Sequence, residues 1–435
     1  MRVLIAGAGG YLGEHVVHVA AQAGHSVSAC VRGPHGPRFP DGVRRVEGDL
    51  GDPGFVRQAV ADVDAVVFCA GRTWHPGLNP ESIRQNVSIV EIFLTALAQS
   101  NPSARVVVTS SMSAIAGSLE PAVFGDDSGR IAVCTARLSP YGHAKIECDR
   151  LAVNAAAAGR NLVILNPGFM LGPGASAASR VTTSRLVQLF CKRRLSVFVD
   201  DGGHAFCDVR DVARAHVAAL SNGARAGRYI VGGENLGSAQ FLRLMSEQTG
   251  IRTPTPIAAR HALVAAAALD GLSAASFGLW QNPIPRSFAR ALPLYYWGDS
   301  TCAERDLGYR SRRVVQTIRE TIADFVRRGL VSEEFRYVEA MTDETQPGLL
   351  LLKQLAQSHL HRSHLMARLP RILATCRHNH CLSEALDAAL ASASYDPGRG
   401  RFVWKGAAPA NALRKLRSLL DFCYYASDEF RARVT

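Results

Sequence analysis

A glycine-rich turn near the start of the chain limits the possible folds more than any other feature. Residues 3–6 form a short apolar run typical of a buried strand, and residues 11–23 have the apolar spacing of a helix. The turn between them reads Gly7-Ala8-Gly9-Gly10-Tyr11-Leu12-Gly13. Its glycines permit a tight turn and a close approach of the backbone to another group. A strand, this turn and a helix in succession predict the first unit of a parallel α/β sheet.

Strand-like and helix-like segments alternate over the following residues. The predicted strands are 26–31, 43–47, 65–69, 105–109 and 162–166, and the further predicted helices are 82–98 and 140–157. Short apolar runs separated by helices predict a parallel sheet that is covered on both faces and joined by right-handed crossovers. The fold class is therefore α/β, with a Rossmann-type doubly wound parallel sheet.

The chain divides into four predicted segments. Residues 1–170 form a nucleotide-binding Rossmann core, and residues 171–332 form a smaller α/β substrate-binding lobe with short strands such as 228–231. Residues 333–348 have the acidic and turn composition of a linker, and residues 349–435 form a mostly helical C-terminal extension with a turn at 397–400. The extension fits the docking of a protein partner, a lid, or structural support alone, and the sequence does not separate these roles.

Composition excludes several classes of protein. The chain has 435 residues, of which 47% are hydrophobic, and no short repeat, which excludes a disordered chain and a coiled coil. The net charge of +12 comes from dispersed residues rather than from a basic stripe with aromatics, so we expect no nucleic-acid binding. The most apolar segment, residues 257–280, is interrupted by Arg260 and Asp270, so we expect no membrane span.

Cysteines and histidines give two further expectations. The ten cysteines are scattered without a Cys-x-x-Cys pair, which favours a cytoplasmic protein without disulfides. The extension is rich in possible metal ligands, but their spacing matches no standard zinc site, so we expect no metal. These ligands are His359, His361, His364, His378, His380, Cys376 and Cys381.

The glycine-rich turn also predicts a ligand. It opens a helix, and the free N–H groups and positive dipole of a helix N-terminus suit a pyrophosphate. A strand-to-helix turn without any ligand is the alternative, but the position directly after the first strand favours dinucleotide binding.

The end of the second predicted strand bears on the choice of dinucleotide. An acidic residue there would bind the ribose hydroxyls of NAD, whereas this chain has Arg32, with Arg38 in the following loop. Arginine forks bind phosphate, so the sequence predicts NADP (NADPH) with its 2′-phosphate at Arg32 and Arg38, unless Arg32 is simply a surface residue. Asp49-Leu50 is expected at the adenine, and Cys69-Ala70-Gly71 beneath the cofactor.

A tyrosine and a lysine four residues apart are the candidate catalytic pair. Ser139 and Pro140 predict a helix start, and this places Tyr141 and Lys145 on one helical face. A fixed ammonium favours the ionised phenol, which can exchange a proton with a carbonyl or alcohol oxygen while hydride moves to or from a nicotinamide. The serine-rich strand end before this helix supplies a hydroxyl to the substrate, from Ser111 or alternatively from Ser113.

Together these residues resemble the extended short-chain dehydrogenase/reductase family over residues 1–330. The resemblance implies that Tyr141 is the general acid/base, that Lys145 binds the nicotinamide ribose, that Ser111 orients the substrate oxygen and that Asn86 supports the lysine through water. The residues then expected at the cofactor are Gly7, Gly9, Gly10, Tyr11, Leu12, Gly13, Arg32, Arg38, Asp49, Leu50, Cys69, Ala70, Gly71, Tyr141, Lys145, Pro167 and Gly168.

Two segments resemble the dihydroflavonol, cinnamoyl-CoA and aldehyde/ketone reductase branch of that family. They read Asn166-Pro167-Gly168-Phe169-Met170-Leu171-Gly172-Pro173 and Phe206-Cys207-Asp208-Val209-Arg210-Asp211-Val212-Ala213. The resemblance implies that Pro167 and Gly168 line the nicotinamide pocket, while Asp211 is expected to hold backbone. The Asn-Trp-Tyr-Cys-Tyr signature of cinnamoyl-CoA reductases is missing from the sequence, which disfavours a CoA thioester substrate.

The first functional hypothesis is an NADP(H)-dependent oxidoreductase that acts on a ketone, aldehyde or secondary alcohol of a small metabolite. The alternatives are an NDP-sugar epimerase or dehydratase with bound NAD, a 3β-hydroxysteroid dehydrogenase-like enzyme and a non-catalytic nucleotide-sensing protein. The sugar hypothesis predicts a diphosphate-binding arginine, for which Arg180 and Arg286 are candidates. The family resemblance also implies a homodimer through the helices at 82–98 and 140–157.

Overall fold

The computed structural model describes most of the chain. The described residues are 1–34, 36–72, 80–125, 135–176, 184–222, 227–276, 282, 284–335, 338, 347–357, 362–396 and 401–425. Within them the chain forms two compact units, one of residues 1–246 with 251–321 and the other of residues 247–250 with 322–435.

A seven-stranded parallel sheet forms the centre of the first unit. Its strands are β1 (Arg2–Ala6), β2 (Ser26–Val31), β3 (Arg44–Glu47), β4 (Ala65–Phe68), β5 (Arg105–Thr109), β7 (Leu162–Pro167) and β11 (Gly227–Val231). They lie in the order β11-β7-β5-β4-β1-β2-β3, and every neighbouring pair is parallel. The predicted doubly wound α/β fold is thereby confirmed.

Helices cover both faces of this sheet. They are α1 (Tyr11–Gln22), α2 (Pro53–Val60), α3 (Pro80–Ser100), α4 (Pro140–Ala157) and α6 (Val209–Ala218). Alternate side chains of each strand point to opposite faces, so Val3 and Ile5 enter the core with α1 and α6. Leu4 and Ala6 enter the second core, with α2, α3 and α4. The central strands β1, β4, β5 and β7 are therefore apolar on both faces, as the continuous apolar runs predict, whereas the edge strand β3 carries Arg44, Arg45 and Glu47.

Smaller elements of the first unit lie beyond the main sheet. The strands are β6 (Val123–Phe124), β8 (Phe169–Leu171), β9 (Val197–Val199), β10 (Gly203–Asp208), β12 (Glu234–Gly237), β13 (Thr255–Ile257) and β14 (Tyr295–Gly298). The helices are α5 (Arg185–Cys191), α7 (Ser238–Thr249), α8 (Ala259–Ala275), α9 (Arg286–Ala289), α10 (Thr301–Leu307) and α11 (Val314–Arg327). The last residues of α7 and of α11 belong to the second unit. Short 3₁₀ helices stand at Met112–Ala114, Thr135–Arg137 and Glu333–Phe335.

One strand was misplaced by the sequence prediction. The segment 228–231 was expected in the substrate lobe, but β11 pairs with β7 along Gly227↔Val163 to Val231↔Pro167 in the main sheet. The Rossmann sheet is therefore completed by residues well beyond 170. The four predicted segment boundaries remain predictions.

The C-terminal extension has an apolar core of its own. Its helices are α12 (Pro347–Ala356), α13 (Arg362–His378), α14 (His380–Ala391) and α15 (Ala410–Tyr425). Leu351, Leu373 and Leu416 are fully buried among them. The sequence analysis missed an antiparallel hairpin of β15 (Ala393–Asp396) and β16 (Arg401–Trp404), and the turn expected at 397–400 lies outside the described residues. In the described part of the chain, no helix has both the length and the hydropathy needed to cross a membrane.

Replacing Phe93 on α3 tests the core between α3 and the sheet. The Phe93 ring is buried, with its centroid 4.4 Å from that of Phe68. Phe93→Ala should lower the free energy of unfolding by about 3–5 kcal/mol in a urea titration, because it removes a buried ring and leaves a cavity. Val197→Ala, at a side chain that is 47% exposed, should change it by no more than about 0.5 kcal/mol. Equal losses in the two variants would contradict this description of the core.

Candidate active site

The glycine-rich turn packs directly against the end of β4. Gly7 has a φ of +87°, and a Cβ there would stand 2.7 Å from the N and Cα atoms of Ala70. A Cβ at Gly13 would stand 2.1 Å from the Gly7 carbonyl oxygen. Neither position has room for a side chain, so main chain packs on main chain where the first helix begins.

The start of α1 is suited to a diphosphate. The Gly10 N–H donates to the Gly7 carbonyl at 3.0 Å, and Gly9 and Gly10 are both exposed. Tyr11 and Leu12 are buried, and the Tyr11 hydroxyl donates to the Gly172 carbonyl at 2.6 Å. Any contact of these two residues with a ligand therefore has to come from their main chain, as expected for a phosphate held at a helix N-terminus.

The ends of β2 and β3 carry the residues predicted for the adenosine half. Arg32 and Arg38 are exposed and have no partner among the described residues. Arg45, which the sequence analysis missed, holds the intervening loop by donating to the carbonyls of Gly33 at 2.6 Å and Pro37 at 3.2 Å. No local pattern marks that contact, because the loop lies beside β3 only after the sheet has formed.

Asp49 and Leu50 lie just after β3. The Asp49 carboxylate accepts from the Gly51 N–H at 3.0 Å and so stabilises the turn into α2. Leu50 is half-buried and packs against the core that α2 and α3 share with the sheet. Their predicted contact with adenine remains a prediction.

The segment after β4 lies between the glycine-rich turn and α4. Burial raises the pKa of the Cys69 thiol to about 12, and the Thr109 hydroxyl lies 3.4 Å from its sulfur. A Cβ at Gly71 would lie 3.8 Å from Asn86 Oδ1 and 4.0 Å from Lys145 Nζ. The small residues 69–71 therefore connect the glycine-rich turn to the candidate lysine.

Tyr141 and Lys145 share one face of α4, whose start is formed as the sequence predicts. Ser139 is the N-cap and accepts from the Gly142 N–H at 3.3 Å, with Pro140 in the first helical position. Lys145 is buried, donates from Nζ to the Thr109 carbonyl at 3.3 Å, and lies 5.9 Å from the centroid of the Tyr141 ring. A held ammonium thus stands beside a half-buried phenol at the carboxyl edge of the sheet.

The two candidate serines are hydrogen-bonded to each other. The hydroxyls of Ser111 and Ser113 are 2.9 Å apart, and Ser111 Oγ also accepts from the Ser113 N–H at 3.2 Å. Both serines are half-buried. Their hydroxyls form one polar pair, so the choice between them concerns which oxygen reaches the substrate.

A buried charge network, missed by the sequence analysis, supports this serine segment. Asp149, one helical turn after Lys145, accepts from Ser110 Oγ at 2.6 Å. It also accepts from the two terminal guanidinium nitrogens of Arg228, Nη1 at 2.9 Å and Nη2 at 2.7 Å. Asn166 accepts from Arg228 at 3.0 Å and donates to the Ser111 carbonyl at 2.9 Å. The helical spacing of Asp149 was a signal available in the sequence, whereas the partner Arg228 on β11 had none.

Asn86 and a small cavity complete the surroundings of the lysine. Asn86 binds the main chain of Arg72 through both polar atoms, at 2.8 and 3.0 Å. A cavity of about 10 Å³, bordered by Asn86, Lys145, Ser110 and Asp149, lies between them. That volume suits a single water molecule with several polar neighbours.

His216 on α6 fixes the side chain of Thr109 from the opposite face of the sheet. Its Nδ1 lies 2.8 Å from the Val212 carbonyl and its Nε2 lies 2.8 Å from Thr109 Oγ1. Because a carbonyl only accepts, Nδ1 carries the proton and Nε2 accepts from Thr109. Burial lowers the pKa of His216 to about 4, which keeps the ring neutral. Its position on the apolar face of α6 was the sequence signal for this role.

The remaining candidates lie at the substrate-lobe side. Pro167 ends β7 and is buried, and the N–H of Gly168 donates to the Val231 carbonyl at 3.4 Å. Asp211 accepts from the Arg312 N–H at 2.9 Å, so it holds backbone as predicted.

Several expected residues lie outside the described part. They are Arg180, which was a candidate for binding a sugar diphosphate, and His359 and His361 of the extension. Among the described residues, no group of three or more His, Cys, Asp or Glu side chains is arranged to hold a metal.

The sequence model of the NAD dependent epimerase/dehydratase family matches residues 3–232. That range holds the glycine-rich turn, the whole parallel sheet and the tyrosine–lysine pair. The chain belongs to this family. Its predicted resemblance to the extended short-chain dehydrogenases/reductases, which include reductases and epimerases, is confirmed.

Curated relatives and a solved structure agree with this assignment. Sterol demethylase protein B of Methylococcus capsulatus is 26% identical over 346 residues, covering 76% of this chain and 100% of that protein. A putative dihydroflavonol 4-reductase of Synechocystis sp. is 26% identical, covering 76% of this chain and 96% of that protein. The structure of MoeE5 in complex with UDP-glucuronic acid and NAD aligns with a TM-score of 0.57 and 24% identity, over 75% of this chain and 99% of that chain, and shares its fold.

Glycine substitutions test the main-chain packing of the glycine-rich turn. Gly13→Ala should lower the free energy of unfolding by about 1–3 kcal/mol, because the added Cβ meets the Gly7 carbonyl. Gly9→Ala is the matched control, since the nearest atom to its Cβ would be Val31 Cγ1 at 3.6 Å. It should cost no more than about 0.5 kcal/mol in the same urea titration. A Gly13→Ala variant as stable as Gly9→Ala would refute the packing.

The buried His216 predicts a pH dependence of stability. Its folded pKa of about 4 lies below the ordinary 6.5, so the unfolded chain binds the proton more tightly and stability falls as the pH drops from 6.5 towards 4. Between pH 6.5 and 5 this loss is about 2 kcal/mol. In urea titrations at pH 7 and pH 5, His216→Gln should reduce the loss by about that amount. His204, whose pKa burial also lowers to about 4, contributes a separate loss that His216→Gln should leave in place. If His216→Gln lost as much stability between pH 7 and pH 5 as the unaltered protein, protonation of His216 would not be the cause of that loss.

Proposed function

We propose that this protein is an NADP(H)-dependent oxidoreductase that interconverts a carbonyl and an alcohol on a small, fairly apolar metabolite. The observation that carries the proposal is the pair of Lys145 Nζ and the Tyr141 ring, 5.9 Å apart, beside the turn of Gly7 and the segment 69–71. Family membership supplies the chemical class, because its members include reductases and epimerases. The names of both curated relatives favour an apolar substrate.

The residues of this chain divide the proton chemistry among them. Tyr141 gives its phenolic proton to the carbonyl oxygen during reduction and takes a proton from the alcohol during oxidation. Lys145 favours the phenolate that remains, because its ammonium is held beside the ring. Ser111 donates a hydrogen bond to the same substrate oxygen, and Ser113 holds the Ser111 hydroxyl. The bound nicotinamide supplies or accepts the hydride.

Asn86 and the cavity beside it give Lys145 room for a polar neighbour. One water in the cavity of about 10 Å³ would meet Lys145, Asn86, Ser110 and Asp149. Such a water keeps the ammonium solvated without exposing it. This arrangement is the role that the family resemblance implies for Asn86.

Several features support NADP as the cofactor. Gly9 and Gly10 are exposed at the start of α1, where they suit the diphosphate. Arg32 and Arg38 flank the loop that Arg45 holds, and their guanidinium groups suit a 2′-phosphate. We place Asp49 and Leu50 at the adenine end of the cofactor and Pro167 and Gly168 at its nicotinamide end.

The cellular setting and assembly are part of the proposal. The nine cysteines among the described residues are all free thiols, which favours the cytoplasm. We propose a homodimer through α3 and α4. We also propose that the extension docks a protein partner, and its separate core supports an independent role.

An NDP-sugar epimerase or dehydratase is the second candidate. The family name and the ligands of MoeE5, which are UDP-glucuronic acid and NAD, favour it. Of its two candidate diphosphate-binding residues, Arg286 is exposed on α9 and Arg180 lies outside the described residues. Arg32 opposes it, since an acidic residue usually stands there for NAD.

Fluorescence titrations with NADPH and NADH test the cofactor assignment. NADPH should bind more tightly, and Arg32→Asp should weaken its binding at least about tenfold, because a charge-assisted contact to phosphate is replaced by repulsion. Arg417→Asp, an equal change of charge at an exposed site of the C-terminal unit, should leave both affinities unchanged. Tighter binding of NADH would favour the epimerase or dehydratase instead.

Tyr141→Phe tests the catalytic assignment. The variant keeps the ring beside Lys145 but lacks the transferable proton, so turnover should fall about 10²–10⁴-fold. The loss of NADPH absorbance with a panel of ketones and aldehydes measures turnover, and fluorescence should show unchanged NADPH binding. Full turnover in Tyr141→Phe would exclude the tyrosine as the acid/base.

A further inference from the structure

Helix α8 has an apolar surface that faces outward. Val264 is 71% exposed and Leu272 is 62% exposed, the largest fractions among the described exposed large hydrophobic side chains. This helix comes from the segment 257–280, which is the most apolar stretch of the sequence. Surface helices normally present polar residues to water, so the exposed face of α8 calls for an apolar partner.

The opposite side of α8 is anchored, which fixes the direction of the exposed face. Ala266 is buried, and Asn282 donates to its carbonyl at 3.2 Å and to Asp270 Oδ1 at 2.9 Å. The other oxygen of Asp270 accepts from the Arg286 N–H at 2.9 Å. The acidic side chain of the helix is thus used in packing α8 against the start of α9.

The outward face therefore has no charged side chain between Val264 and Ala275. At helical spacing it presents Val264, Ala268, Leu272 and Ala275, with Gly271 beside them. Small and apolar residues alone make up this surface over nearly three turns.

Basic residues lie at the start of α8 and on the neighbouring α9. Arg260 and His261 are exposed at the start of α8, and Arg286 and Arg290 are exposed on α9 and just after it. Residues 251–290 contain four arginines and a single acidic residue, Asp270, whose carboxylate is already engaged. An apolar face with basic residues near it and no available acid is complementary to a surface that is apolar within and anionic at its edge.

We propose that α8 docks this protein on the surface of an anionic lipid bilayer, lying in the interface with Val264 and Leu272 towards the acyl chains. The excess of basic residues over available acids in residues 251–290 favours a bilayer over a second copy of this chain. In a two-fold contact through α8, the arginines of one copy would approach those of the other without an available acid.

Vesicle sedimentation tests the proposal with the full chain. The protein should bind vesicles of phosphatidylcholine that contain about one-quarter phosphatidylglycerol. Its binding to vesicles of pure phosphatidylcholine, and its binding to the anionic vesicles at high salt, should be much weaker. Val264→Asp and Leu272→Asp should each weaken binding about tenfold, because an apolar side chain no longer leaves water. Arg260→Gln should weaken it about fivefold.

Matched controls separate the site from general charge. Val403→Asp and Leu119→Asp make the same changes at side chains that are 42% and 44% exposed outside α8, and they should bind vesicles like the unaltered protein. Equal losses in the controls would overturn the proposal. Normal vesicle binding by Val264→Asp would also overturn the proposal. So would a Val264→Asp variant whose only defect is the loss of a dimer in sedimentation velocity, since α8 would then bind a second copy of this chain.

Hydrogen exchange of the unaltered protein gives a second test that needs no variant. Addition of the anionic vesicles should slow amide exchange in peptides from residues 259–275. Absence of binding to any vesicle, or protection confined to other regions, would refute the role of α8.

Discussion

The rest of the candidate site depends on one contact, the packing of the glycine-rich turn against the end of β4. Gly7 lies against Ala70 and Gly13 lies against Gly7, at distances that leave no room for a Cβ. This contact places the start of α1 beside the segment that leads to Gly71 and Lys145. The start of α1 and the segment that borders the candidate lysine are therefore set relative to each other by main-chain packing, which does not adjust as a flexible side chain would.

Local patterns were enough to predict the parallel core and the start of α4. The strand 26–31 and the helix 140–157 have the predicted limits, because apolar periodicity and capping are properties of neighbouring residues. The Ser139 cap forms because a serine hydroxyl accepts from the first free N–H groups wherever the helix lies in the fold. The turn at Gly7 was recognised for the same reason, since its conformation is decided within seven residues of sequence.

Contacts between distant segments could not be predicted in this way. The apolar pattern of β11 would be the same whether the strand paired with β7 or with a strand of the smaller lobe. Its place in the sequence prediction was therefore wrong. The hold of Arg45 on the Gly33 carbonyl and the network around Asp149 likewise exist only in the assembled sheet. Such long-range polar contacts stiffen the site, since each buried group has its partner.

The pairing of Asp149 with Arg228 also has a consequence in time. The two residues are 79 positions apart, so the carboxylate on α4 leaves the ribosome long before its guanidinium partner. At about 5–20 residues per second the delay is roughly 4–16 s, during which a carboxylate destined for burial has no cation. The nascent chain can form most of the sheet in that interval, yet the helix that carries Tyr141 gains its full support only when β11 arrives. The order of synthesis thus makes completion of the candidate catalytic helix wait for the last strand of the main sheet.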